Sequence, residues 1–109
     1  MSIALPVIID LYFATENAHH ASAIEQCFAS GAVVHDEGKL ITGVEAIKAW
    51  RIETREKYHH TVEPLSVATR DGKVVVTSKV SGNFPGSPIN LDYNFEIVED
   101  LVVSLEIRP

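Results

Sequence analysis

The sequence predicts an α+β fold in which a curved antiparallel sheet wraps around three N-terminal helices. Helical patterns fill the first half of the chain and strand patterns fill the second, a separation typical of α+β proteins. Asp71-Gly72 lies between two apolar runs and is a strong signal for an antiparallel hairpin. A chain of 109 residues is long enough for one core, so we expect a single domain over residues 1–109.

Three segments show helical patterns. The first runs from about Pro6 to Asn17, because proline suits a first helical turn and apolar residues recur there at helical spacing. The second runs from about Ala21 to Ala29. The third lies within TGVEAIKAWRIETREKYHH, where Thr42 and Glu45 provide a helix start signal. The first helix is apolar on more than one stripe, which predicts that it is buried on most sides.

Strand patterns account for the rest of the chain. A short strand is expected from about Ala32 to Asp36, and the hairpin, INLDYNFEIV and EDLVVSLEI supply three or four more. Pro64 cannot donate a backbone hydrogen bond, which predicts an edge position or a bulge. Strict alternation in INLDYNFEIV predicts one buried and one polar face. Its inward residues would be Ile89, Leu91, Tyr93, Phe95 and Ile97.

Composition excludes several classes of function. The formal net charge is −6 and the nine Lys and Arg are scattered, which argues against a nucleic-acid partner. No stretch approaches the roughly 18 apolar residues of a membrane span. Pro6 and Asp10 interrupt the apolar N-terminus, which also lacks the basic start of a signal peptide, so we expect a cytoplasmic protein. Cys27 is the only cysteine, so no intrachain disulfide can form.

The stretch VVHDEGKLITG suggests a site, because an apolar strand ends there in His35, Asp36 and Glu37. A carboxylate in an apolar cavity loses hydration, which raises its pKa and suits proton transfer beside a carbonyl group. Tyr12 lies on an inward stripe of the first helix, and its phenol could donate to a developing enolate oxygen. The alternative is that Asp36 is solvated and that Tyr12 bonds a backbone carbonyl.

Five further residues are candidates for the wall of a pocket. Trp50 is expected on the inward face of the third helix, while His35 points away from Asp36 unless a bulge turns both inward. The complete set is Trp50, Tyr93, Phe95, Phe28 and His35. A curled sheet over helices would leave a cavity lined by such side chains, which is typical of a small-molecule site.

Two histidine pairs, His19-His20 and His59-His60, could suggest a metal site. Adjacent residues do not share a face of a helix or a strand, and no cysteine or carboxylate stands near them at ligand spacing. We therefore expect surface loops there, with no metal and no cofactor.

The order of elements resembles the nuclear-transport-factor-two-like superfamily, and within it the SnoaL-like polyketide cyclases and ketosteroid isomerases. LYFATENAHHASAIEQCFASGAVVHDEG resembles the opening helix, short helix and strand of that family. TGVEAIKAW resembles its third helix, and VSGNFPGSPINLDYNFEIVEDLVVSLEI resembles its closing hairpin. The resemblance implies a cystatin-like cone, or α+β barrel. It also implies a homodimer that pairs through the outer face of the sheet.

The same resemblance implies roles for individual residues. The oxyanion-donor tyrosine of the isomerases matches Tyr12, and their general-base aspartate matches Asp36. Their second donor, a protonated aspartate, matches Asp92 by letter, but strand alternation places Tyr93 inward instead. Of the three catalytic residues of the isomerases, this sequence therefore matches no more than two.

We expect a small cofactor-independent protein with an enclosed apolar pocket. Its partner would be a small hydrophobic carbonyl compound that it isomerises, cyclises or dehydrates by proton transfer. The alternative is a non-catalytic module of the same fold that binds a small molecule or forms a dimer. A closed cavity above about 300 Å³ that contains both the Tyr12 hydroxyl and the Asp36 carboxylate would favour the enzyme or the small-molecule binder over a purely structural dimer.

Overall fold

The protein consists of a six-stranded sheet with helices packed on one face. The structure is a computed structural model that describes residues 5–17 and 21–109. The helices are α1 (Val7–Asn17), a 3₁₀ helix (Ala21–Gln26) and α2 (Val44–Tyr58). The strands are β1 (Phe28–Asp36), β2 (Lys39–Thr42), β3 (Thr61–Arg70), β4 (Lys73–Ser81), β5 (Ile89–Val98) and β6 (Leu101–Arg108). This arrangement confirms the α+β fold class.

The sheet is mixed, in the order β2-β1-β6-β5-β4-β3. Strands β3 to β6 form an antiparallel meander, but β1 pairs with β6 in parallel. The expectation of a wholly antiparallel sheet is therefore wrong at this one pairing. The long connection through α2 and the meander carries the chain back to β1, and long crossovers are what parallel pairing requires.

The second predicted helix is shorter than expected. A 3₁₀ helix ends at Gln26, and Phe28 already belongs to β1, where it pairs with Val102. The register of β1 against β6 shifts between Phe28 and Val33, in the segment that contains Gly31. A glycine within a strand often marks such an irregularity, so Gly31 interrupts the strand here and does not end a helix.

Strand β2 was not anticipated, although its turn has a signal in the sequence. Glu37 and Gly38 both have positive φ, at 51° and 75°, which is the backbone of a type I′ hairpin. Asp71 and Gly72 form the predicted hairpin with φ values of 53° and 77°. Strand β3 lies at the sheet edge, and its register shifts at Pro64, which confirms the prediction for that residue.

The core lies between the helices and the inner face of the sheet. Its centre is a group of aromatic rings in edge-to-face contact, with Tyr12 at 5.4 Å from Phe95 and Phe13 at 5.2 Å from Tyr93. Tyr93 and Phe95 point inward as the alternation predicted, and both are buried. Within residues 5–17 and 21–109, no helix combines the length and apolar character needed to cross a membrane.

Candidate functional site

A cavity of about 170 Å³ lies between α2 and the inner face of the sheet. Its wall is mainly apolar and aromatic, but one part of it carries several ionisable side chains. The lining residues are Glu16, Asp36, Glu37, Trp50, Arg51, Thr54, Tyr58, His60, Val80, Phe84, Ile89, Leu91, Tyr93 and Ile107. A few polar groups that converge on an apolar cavity are typical of a small-molecule site.

Asp36 is placed in this cavity by the end of β1. Its Oδ2 accepts a hydrogen bond from Trp50 Nε1 at 3.0 Å, which fixes the carboxylate against α2. Burial raises the pKa of Asp36, and the neighbouring Glu37 raises it further. The hydrogen bond from Trp50 and the charge of Arg51 lower it, but the net direction is upward. A carboxylate with a raised pKa holds a proton more tightly, so it is a better base than an exposed aspartate.

A buried charge cluster of Glu16, Arg51 and His60 forms another part of the cavity wall. Glu16 Oε1 lies 3.2 Å from Arg51 Nη1 and 2.9 Å from His60 Nε2. Glu16 is 1% exposed and Arg51 is 4% exposed, so neither charge is solvated by bulk water. The opposite charges of Glu16 and Arg51 must therefore neutralise each other, since an isolated buried charge costs several kcal/mol.

Two tyrosines complete this cluster from the core side. Arg51 Nη2 donates to Tyr12 Oη at 2.6 Å, and Tyr93 Oη donates to Glu16 Oε1 at 3.4 Å. Burial raises the pKa of both phenols well above the ordinary value, so both are neutral donors at any physiological pH. Burial also raises the pKa of Glu16, but Arg51 and the hydrogen bond from His60 outweigh it and leave that pKa below its usual range.

Arg51 connects the charge cluster to Asp36. Its guanidinium carbon lies 4.0 Å from the centre of the Trp50 ring, and that same ring donates to Asp36. Arg51 also donates to Thr54 Oγ1 at 3.2 Å, one turn further along α2. The planar guanidinium thus holds the indole in the orientation that bonds the carboxylate.

The structure separates the two residues that were expected to act together. Asp36 lines the cavity, but Tyr12 does not: it is fully buried, and Arg51 occupies the space between its hydroxyl and Trp50. The cavity of about 170 Å³ is also smaller than the roughly 300 Å³ that would favour an enzyme or a small-molecule binder over a purely dimeric module. The expectation that Tyr12 and Asp36 share a cavity is wrong, because the Tyr12 hydroxyl is buried in the core and bonded to Arg51.

Of the other candidates for the pocket wall, some line the cavity and others do not. Trp50 and Tyr93 line the cavity. Phe28 and Phe95 do not line it, because both are buried in the aromatic core. His35 is exposed and lies on the opposite face of β1, in a depression with Leu40 and Glu106. No bulge turns it inward, since its pairing with Leu40 and Glu106 is regular.

Sequence reasoning did not select Glu16, Arg51 and His60 as residues of the cavity wall. Glu16 falls on an inward stripe of α1 with Ile9 and Phe13, and Arg51 follows the buried Ile47 by four residues. Inward charged residues on two separate helices were the available signal, because such residues are rarely buried unless they are paired.

The structure describes one of the two histidine pairs, His59-His60. His19 and His20 lie outside the described residues. His59 is exposed and ends α2 in a left-handed conformation. His60 is instead buried against Glu16, so the expectation of a surface position is wrong for that residue. The part of the chain that the structure describes contains no group of three or more His, Cys, Asp or Glu side chains suited to a metal ion.

A groove of about 360 Å³ lies outside the cavity, between α2 and β2. It shares Asp36, Trp50 and Tyr58 with the cavity, so these residues form the boundary between the two spaces. Tyr58 Oη donates to Glu37 Oε1 at 3.1 Å and links the end of α2 to the β1–β2 turn. A ligand could therefore reach Asp36 from either side of this boundary.

Comparison with known proteins gives the family. The model of the SnoaL-like domain matches residues 9–99 of the chain. A candidate polyketide cyclase from Sinorhizobium meliloti has a solved structure that is 38% identical over 95% of each chain, with a TM-score of 0.91. No curated protein shows significant similarity to the chain.

More distant solved structures share the fold. A protein of ketosteroid isomerase-like fold from Catenulispora acidiphila, solved in complex with trimethylamine, is 18% identical with a TM-score of 0.84; the match covers 97% of this chain and 87% of that one. An NTF2-like protein from Cytophaga hutchinsonii is 11% identical with a TM-score of 0.78, over 98% and 90% of the two chains. The chain belongs to the SnoaL-like domain family.

Proposed function

We propose that the protein catalyses proton transfer on a small neutral carbonyl compound, with Asp36 as the general base. The observation that carries this proposal is the position of Asp36, which lines a mainly apolar cavity, accepts a hydrogen bond from Trp50 and has a raised pKa. The fold of polyketide cyclase-like and ketosteroid isomerase-like relatives is compatible with this chemistry but does not prescribe it.

In the proposed reaction, the Asp36 carboxylate removes a proton from a carbon beside the carbonyl group. The electron pair of that C–H bond moves into an enolate, and Asp36 holds the proton until it returns to the same or another carbon. Trp50 keeps the carboxylate oriented by donating to Oδ2, which leaves Oδ1 for the proton. Proton transfer by a positioned group contributes about 10²–10⁴-fold to a rate.

Tyr93 replaces Tyr12 as the proposed donor to the enolate oxygen. Tyr93 lines the cavity, and its neutral hydroxyl donates to Glu16 over a long 3.4 Å contact. A bond of that length is weak, so the phenol can exchange it for a developing oxyanion, to which a charge-assisted bond is stronger. Arg51, on the same side of the cavity, would add positive potential there.

Binding without chemistry is the second candidate function, and the apolar cavity would support it equally. A cage for an organic cation is disfavoured, because the guanidinium of Arg51 already lies over one face of Trp50 and would repel a second cation there. The trimethylamine complex of the distant relative therefore does not supply a ligand class for this chain.

Solvent exchange separates these functions without knowledge of the natural substrate. Small ketones such as cyclohexanone and acetophenone are incubated with the protein in D₂O, and loss of the proton beside the carbonyl is followed by NMR. We expect acceleration by the wild-type protein and a loss of about 10²-fold or more of that acceleration in Asp36→Asn.

Asp92→Asn is the matched control, since it makes the same chemical change on the opposite face of β5, where Asp92 accepts from Thr77 Oγ1 at 2.7 Å. It should leave exchange unchanged. Tight binding of the ketones with no exchange would favour the binding function, and full exchange by Asp36→Asn would remove Asp36 from the mechanism.

A further inference from the structure

The cavity wall brings three carboxylates together with one guanidinium. Glu16, Asp36 and Glu37 all line the cavity, and Arg51 is the only lysine or arginine among its described lining residues. A buried guanidinium must pair with a carboxylate, because an unpaired charge in a poorly solvated space is costly. The carboxylate that it pairs with is occupied, and the others remain available for chemistry.

Both terminal nitrogens of Arg51 are used by Glu16 and the core. Nη1 lies 3.2 Å from Glu16 Oε1, and Nη2 donates to Tyr12 Oη at 2.6 Å. The described contact between Arg51 and Asp36 is indirect: the guanidinium lies over the Trp50 ring at 4.0 Å, and Trp50 Nε1 donates to Asp36 Oδ2 at 3.0 Å. Glu16 therefore takes the charge of Arg51, and Asp36 receives a neutral donor instead.

We propose that Glu16 is a positioning residue for the proton transfer, because it holds the Arg51 guanidinium and so keeps Asp36 free to act as the base. The inference rests on the proposed function for the role of Asp36. Glu16 acts through Arg51 in this scheme and touches neither the ligand nor the moving proton. Without the charge of Glu16, the guanidinium would stabilise the Asp36 carboxylate, and an aspartate stabilised by an arginine is a weaker base.

The order in which the two acids ionise supports this division of roles. Burial raises the pKa of Glu16, but Arg51 and the hydrogen bond from His60 outweigh it and leave that pKa below its usual range. Burial raises the pKa of Asp36, and there the net direction is upward. As the pH rises, Glu16 therefore loses its proton first. The guanidinium is already paired when Asp36 becomes ionised and able to accept a proton.

Other ionisable groups surround Asp36 on several elements. Those that share its cavity are Glu16, Glu37, Arg51, Tyr58, His60 and Tyr93. The two outer depressions that Asp36 also lines add Lys39, Glu53, Lys57, His35, Glu106 and Arg108. Most of this second group is exposed, so solvent and salt screen its charges. The variants that test the proposal change Glu16 and Arg51 and leave the rest of this environment in place.

The titration of Asp36 in the Glu16→Gln protein tests the proposal directly. Glutamine keeps the shape and an acceptor oxygen but removes the charge. The NMR titration midpoint of the Asp36 carboxyl carbon should lie about one pH unit below the wild-type midpoint, because Arg51 then stabilises the ionised form. The plateau rate of ketone exchange in D₂O should fall about threefold, since a weaker base transfers the proton more slowly. An Asp36 midpoint at or above the wild-type value would overturn the proposal.

Asp92→Asn is the matched control, because it removes one negative charge on the opposite face of β5. Its Asp36 midpoint should equal that of wild type. A shift as large as that of Glu16→Gln would mean that net charge is responsible, and would also contradict the role of Glu16.

The double variant Glu16→Gln with Arg51→Met shows whether Glu16 acts through Arg51. Its Asp36 midpoint should return to the wild-type value or rise above it, because the guanidinium that lowers it is gone. A general loosening of the site would instead shift the single and the double variant in the same direction. The double variant leaves neither charge unpaired, so it remains informative even if Glu16→Gln alone does not fold. A midpoint below the wild-type value in the folded double variant would overturn the proposal.

The titration needs no turnover, so it separates this inference from the proposed function. Unshifted midpoints with normal exchange would remove the role of Glu16 and leave Asp36 as the base. Full exchange by Asp36→Asn would remove the proposed function, and the role of Glu16 in proton transfer with it, even where the midpoints shift as expected.

Discussion

At the scale of single residues, the site depends on how buried charges are paired. Asp36 could be selected from the sequence because it ends an apolar strand, and it does line the cavity. The position of Tyr12 could not be derived, because it depends on Arg51, whose side chain crosses from α2 to bond the phenol of α1 at 2.6 Å. Helical periodicity shows which residues face inward, but it does not show which of them pair across two elements.

The pairing of Glu16 and Arg51 predicts a non-additive effect on stability. Either single change, Glu16→Met or Arg51→Met, leaves one buried charge without its partner and should lower the free energy of unfolding by about 3–5 kcal/mol. The double variant removes both charges and should lose far less than the sum of the two. Urea denaturation of the four proteins gives the coupling energy, and strictly additive losses would show that the two charges do not stabilise each other.

At the scale of elements, the sequence predicted the features that a local turn or a single residue determines. The hairpin at Asp71-Gly72 and the irregularity at Pro64 both have a backbone cause within a few residues, and both are present. The parallel pairing of β1 with β6 and the early start of β1 at Phe28 were missed. These depend on contacts between residues about seventy positions apart, which local patterns do not encode.

Gly82 allows the end of β4 to pack closely against the connection between α2 and β3. A Cβ atom there would lie 2.7 Å from the Tyr58 carbonyl oxygen and 3.0 Å from His60 Cα, both in backbone that cannot yield easily. Gly82→Ala should therefore destabilise the protein by about 1–3 kcal/mol, because it forces the α2–β3 connection away from β4. Thermal unfolding provides the measurement, since a loss of this size lowers the melting temperature by several degrees.

Gly31→Ala is the matched control, because no atom lies within 4 Å of its Cβ position. It should leave stability unchanged or slightly improved, as a compatible Gly-to-Ala change restricts the unfolded chain. A Gly82→Ala protein as stable as Gly31→Ala would show that the connection does not pack against β4 in this way.

At the scale of the whole molecule, the outer face of the sheet remains without a covering element in the described chain. Asp92 and Asn94 lie there with Thr77 and Lys79, and Glu96 is more exposed than either. We propose that two copies pair through this face about a two-fold axis, as the resemblance to the superfamily implied. A stable pair should bury more than about 1,000 Å² in total.

Salt should reveal what holds such a dimer together. Acidic residues on the face oppose their own copies across the axis, and Lys79 or Arg70 can offset them only by interleaving. Higher salt should tighten the dimer if repulsion dominates and loosen it if cross-pairing dominates. Light scattering at low and high salt measures this, and a monomer at every concentration in both conditions would rule out the dimer.

The pH dependence of solvent exchange tests the central claim, that Asp36 is the base in this cavity, most directly. Asp36 acts only when it is unprotonated, so the protein-catalysed rate should rise with pH and level off above the pKa of this carboxyl group. Burial raises that pKa, so the midpoint should lie above the ordinary value of about 3.9 and coincide with the NMR titration of the Asp36 carboxyl carbon. A rate midpoint that differs from the Asp36 titration, or an Asp36 that titrates at or below the ordinary value, would contradict the account.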